Sequence, residues 1–139
     1  MGAIAKAGSA PIQAVYEYAD IPRTKGLVVM DSPGREPELL TGLAAAGCNV
    51  IAFTTGLGAP QGFPFVPVIK ITGNETTWNR LRDHMDISVS AVIEGDESLE
   101  DAGKRIFTEI LAVASGKLTQ AEISGYTKAM DIYTIGPVI

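Results

Sequence analysis

The stretch Gly26 to Glu38, GLVVMDSPGREPE, constrains the fold more than any other. An apolar run of strand length, carrying Val28 and Val29, ends in Asp31. Turn chemistry occupies Ser32 to Arg35, and Glu36 to Ala46 carries Leu39, Leu40, Leu43 and Ala44 before Gly47. Strand, turn and helix in that order predict the opening of an α/β sheet. In such sheets ligands gather beyond the carboxyl ends of parallel strands, which makes the loop from Asp31 to Glu36 the first place to look for a site.

A second apolar run, Asn49 to Thr55, follows the helix. Strand, helix and strand predict a βαβ unit with parallel strands, placing Thr54 and Thr55 at the same sheet edge as Asp31. Gly56 to Phe65, GLGAPQGFPF, is too rich in glycine and proline for anything but a loop, and Val66 to Thr72 reads as a third strand interrupted by Lys70. Together these predict a three-layer α/β/α, Rossmann-like domain with a short, mainly parallel sheet over residues 26–139. Residues 1–25 form a lead-in, in which Ile12, Val15, Tyr16 and Ala19 fall at helical spacing. The abrupt start at Met1 and Gly2 suggests a segment of something larger.

Downstream, Asn74 can cap a helix over Glu75 to Met85 with Trp78, Leu81 and Met85 inward, and Asp86 to Gly95 reads as a fourth strand or a connector. Ser98 with Asp101 opens a helix whose apolar stripe is Leu99, Ala102, Ile106, Ile110, Val113 and Ala114. Glu100 with Lys104 and Asp101 with Arg105 make i,i+4 pairs on its wet face. Thr119 with Glu122 caps a last short helix, and Tyr126 to Ile139 is an irregular tail that exposes Tyr133, Ile135, Val138 and Ile139 unless something covers them.

Composition narrows the function classes. With 139 residues, 46% of them hydrophobic, one compact core is the expected count. A net charge of −5 without a Lys/Arg cluster argues against nucleic acid and anionic membrane as partners. No apolar run nears the roughly 18 residues of a membrane span, so a soluble, cytoplasmic protein acting on a small molecule or another protein surface is expected. Cys48 and His84 are single, which excludes an internal disulfide and leaves only carboxylates for most of a self-contained metal site.

Several residues are candidates for chemistry. Asp31 and Ser32 either orient a hydroxylated or anionic ligand or cap the first helix, and Arg35 either clamps a carboxylate or is simply solvated. Thr55 and Gly56 offer a second wall. Lys70 is the candidate for proton transfer or anion binding, because desolvation lowers a lysine's pKa toward the working range; the alternative is an edge-strand lysine reaching water. Asp86, with Glu94, is a candidate ligand for a hard cation, and His84 and Trp78 read as surface and core residues respectively.

The segments MDSPG, FTTGLGAPQG and PVIKITGN, with MDISVSAVIEG beyond them, resemble the C-terminal region of the altronate and galactarate dehydratases, a family that also includes sulfolactate sulfo-lyase. The likeness runs from about Tyr16 to about Gly116. It implies a sugar acid as substrate, loss of water to give a 2-keto-3-deoxy acid, a divalent metal of which Fe2+ is the expected one, and a preceding catalytic region of the same enzyme as partner, with a homo-oligomer as a further expectation. On the matching positions it places Asp31, Thr55, Gly56 and Lys70 along the substrate side, with Asp86 beside them. The implied enzymes are several times longer than this chain, so the chain alone is expected to lack dehydratase activity.

Overall fold

A computed structural model describes residues 6–126 together with Asp131 and Tyr133. The fold is α/β with short, open, parallel sheets. It divides into two compact units, Met1–Gly47 with Asp131–Ile139, and Cys48–Met130.

In the first unit, β1 (Ile12–Tyr16) pairs in parallel with β2 (Leu27–Met30), from Ile12 against Leu27 to Tyr16 against Met30. The helical spacing expected of residues 12–19 is overridden: Ile12, Val15 and Tyr16 are β-branched or aromatic, and β2 supplies a ladder partner that no local pattern reveals. Asp31 N–H extends that ladder to Tyr16 O at 2.9 Å. Helix α1 (Glu36–Ala45) follows, with Pro37 in its first turn and Arg35 at its N-cap. Gly42 on this helix is required by packing, because a Cβ there would lie 2.3 Å from the Tyr18 ring, whose hydroxyl donates to Glu38 O at 2.5 Å. Tyr133 packs against the same Tyr18 ring in a tilted arrangement, 4.8 Å between centroids; Ile135, Val138 and Ile139 lie outside the described residues.

The second unit holds β3 (Ile51–Thr54), β4 (Val68–Thr72) and β5 (Ile87–Ser88), all parallel and ordered β3-β4-β5. The expected pairing of the strands on either side of α1 is therefore corrected: β2 pairs with β1, and β3 with β4. Helix α2 (Glu75–Arg80) makes the β4 to β5 crossover, while residues 55–67 carry β3 to β4 without a helix. The segment read as a fourth strand or connector is both, since two residues of β5 are followed by helix α3 (Ser90–Glu94). Helix α4 (Leu99–Ala114) covers one sheet face, where Ile69, Ile71, Ile87 and Val113 are buried together with Val50, Val89, Ile106 and Ile110 around them. Fully burying a side chain of this size is worth about 1.5–3 kcal/mol. Helix α5 (Gln120–Ile123) opens with the expected Thr119–Glu122 capping box. No helix among the described residues is long and apolar enough to cross a membrane.

Candidate functional site

The carboxyl edge of the β3-β4-β5 sheet is where this fold gathers polar side chains. Strand β3 runs out into Thr55 and Gly56, β4 ends at Thr72 before Gly73 and Asn74, and β5 ends at Ser88. Thr55 N–H still bonds Ile71 O at 2.9 Å, so the corner leaves the sheet only at Gly56.

Two side chains then converge on one carbonyl. Gly56 O accepts from Asn74 Nδ2 at 3.1 Å and from Thr77 Oγ1 at 2.7 Å. The same Asn74 caps α2, its Oδ1 accepting Thr77 N–H at 3.3 Å, and Thr72 Oγ1 accepts Asn74 N–H at 3.1 Å. On the other side of the corner Thr55 Oγ1 accepts Gly58 N–H at 3.1 Å. Gly58 has φ +90, and a Cβ there would sit 2.2 Å from Leu81 and 3.2 Å from Thr77, so only glycine lets the loop lie on α2. The corner is thus fixed from both flanks. Asn74 looked in the sequence like a helix cap alone, and Thr77 gave no signal of its own.

Lys70 is not at an edge. It lies in the central strand with no exposed surface, and its ammonium donates to Pro60 O at 2.9 Å beneath the loop. The reading of a lysine reaching water is corrected, because β4 is flanked on both sides and all five of its residues are buried. Asp86 is committed to the main chain, with Oδ2 accepting Lys70 N–H and Oδ1 accepting Gln120 N–H, both at 2.7 Å. Burial pushes its carboxyl above the usual range, against the opposing pull of those two N–H groups and of the Lys70 charge. Among the described residues no three His, Cys, Asp or Glu side chains come together to hold a metal ion. The described residues therefore do not fit a divalent metal site of their own.

Asp31, Ser32 and Arg35 belong to the first unit. Asp31 is exposed, Ser32 Oγ reaches only Pro33 O at 3.4 Å, and neither caps α1, whose N-cap makes no side-chain hydrogen bond. Arg35 pairs with Glu38 at 3.6 Å. In the second unit Trp78 is half-buried with Arg82 4.4 Å from its ring centroid, and His84 is half-buried with Nδ1 secluded. Cys48 is half-buried and burial raises its thiol. The structure thus groups Thr55 and Gly56 at an edge, sets Lys70 and Asp86 behind it as supports, and leaves Asp31, Ser32 and Arg35 to the other unit.

Comparison with known proteins gives this edge a context. The family model described as D-galactarate/Altronate dehydratase, C-terminal, matches residues 1–138. The chain is 32% identical to an altronate dehydratase of Bacillus subtilis over 98% of its length and 27% of the relative's. It is 35% identical to a galactarate dehydratase (L-threo-forming) of Escherichia coli over 99% and 27%. It is also 35% identical to the beta subunit of a (2R)-sulfolactate sulfo-lyase of Chromohalobacter salexigens over 91% and 33%. The chain spans about a quarter to a third of the length of these relatives.

Proposed function

This chain belongs to the D-galactarate/altronate dehydratase C-terminal family, and on that premise we propose that it is the C-terminal domain of a hydro-lyase that eliminates water from altronate or galactarate, giving a 2-keto-3-deoxy acid. The observation that carries the reading is the fixed Thr55–Gly56 corner at the carboxyl edge of three parallel strands, the position at which α/β sheets take their ligands. The hydroxyls of a sugar acid suit that edge, since Thr55, Thr72, Asn74, Thr77 and Ser88 all bring hydrogen-bonding groups there.

The elimination removes a weakly acidic proton beside a carboxylate while a hydroxyl departs, so an electrophile must stabilise the enediolate that develops. In this reading a divalent metal, expected to be Fe2+, would supply that electrophile from ligands outside the described residues, and the chain's own contribution is binding and orientation. Lys70 holds the Gly56 to Phe65 loop down through Pro60 O, and Asp86 ties β4 to α5. Partners of the domain are the sugar acid and the remainder of the longer enzyme.

The test is turnover. The longer enzyme that carries this chain, supplied with ferrous ion, is expected to dehydrate altronate or galactarate, and the chain alone to turn over neither. Release of sulfite from sulfolactate in place of either dehydration would replace this reading with the sulfo-lyase one.

A further inference from the structure

A pocket of about 270 Å³ opens beside the fixed corner, lined by Leu57, Asn74, Thr76, Thr77, Arg80 and Leu81. No carboxylate lines it. Its one charge is the Arg80 guanidinium, which takes part in no ion pair among the described residues. The other arginines of this unit are engaged, Arg105 bidentately with Glu97 and Arg82 over Trp78. Helix α2 has six residues, too few for its first turn to hold an anion unaided, so any attraction for one comes from the Arg80 side chain. Two walls of the pocket, Asn74 and Thr77, are the side chains whose hydrogen bonds fix Gly56 O.

We propose that this pocket is an oxyanion subsite that receives the carboxylate of a hydroxy acid, with Arg80 as the contacting cation and Asn74 and Thr77 as positioning residues that keep the Leu57 wall in place. The proposal rests on the sugar-acid reading above and names the group of that substrate which the edge recognises. A planar guanidinium matches a carboxylate with two parallel N–H bonds, which a neutral hydroxyl cannot exploit. Asn74 serves two purposes that substitution separates: serine keeps an oxygen that can cap α2 but loses the amide that donates to Gly56 O, and it adds no charge to the pocket.

Calorimetric titration of the chain tests this with two probes that differ only at their ends, galactarate and its uncharged polyol counterpart galactitol. Galactarate is expected to bind and galactitol not to. R80Q should weaken galactarate by roughly tenfold or more, the loss of a hydrogen-bonded charge. Asn74→Ser and Thr77→Val should weaken it while Thr77→Ser retains it. Equal binding of the two probes, an R80Q affinity equal to the parent's, or no galactarate binding in the millimolar range overturns the subsite. Should the longer enzyme carrying R80Q dehydrate galactarate with an unchanged KM, the subsite fails and the dehydratase reading stands. Should the unsubstituted longer enzyme turn over none of the acids while the chain still binds galactarate through Arg80, the reverse holds.

Discussion

Lys70→Ala is expected to cost about 3–5 kcal/mol of folding stability, read as a fall in the urea midpoint at unchanged m-value. The side chain has no exposed surface in the strand that both neighbours of the sheet pair with, so truncation opens a cavity at the centre of the second unit. It also removes the ammonium from Pro60 O and the positive charge that acts on Asp86. Lys70→Met keeps most of the volume and is expected to cost less, about 1–2 kcal/mol, because the lost term is then the hydrogen bond and charge without the cavity. A lysine that mainly served chemistry at an open site would give the opposite pattern, with both variants near parental stability.

Asp86→Ala is expected to be almost as costly, about 2–5 kcal/mol, because it strands two N–H groups, those of Lys70 and Gln120, that have the carboxylate as acceptor. Its pH dependence has a definite sign. Burial raises the folded-state pKa above the ordinary 3.8, so the folded protein holds this proton more tightly than the unfolded chain does. The contribution from that proton is fully present below the ordinary value and is lost as pH rises through the raised one. The gap in stability between parent and Asp86→Ala should therefore be wider at the acid end and narrow toward neutrality, measured by urea unfolding across that range. A gap that widens with rising pH would mean that the two N–H bonds outweigh desolvation.

How much of this was legible in the sequence depended on the range of the interaction. The runs read as strands, Gly26 to Asp31, Asn49 to Thr55 and Val66 to Thr72, contain the strands Leu27–Met30, Ile51–Thr54 and Val68–Thr72, and the caps at Asn74, Ser98 and Thr119 are present, because apolar runs and caps involve residues a few positions apart. Pairing is a long-range property and was not legible. The residues Ile12 to Tyr16 carry a spacing that suits a helix, yet β2 recruits them. Lys104 meets Glu100 at 2.9 Å as the i,i+4 rule predicts, whereas Arg105 bypasses Asp101 for Glu97 and the Ser88 carbonyl, since the end of β5 comes within its reach only in the fold. The site divides in the same way. Thr55 and Gly56 were visible as a strand followed by a glycine, but the contribution of Asn74 and Thr77 depends on a contact across 18 and 21 positions.

Whether the carboxyl edge of the β3-β4-β5 sheet meets the sugar acid can be read from backbone amide shifts mapped across the isotope-labelled chain during titration with galactarate. The amides of Thr55 to Gly58 and of Gly73 to Arg80 should move together and saturate with one affinity. Shifts that gather instead at the amino edge, around Val50 and Val68, or along the charged face of α4 at Lys104 and Thr108, would contradict it.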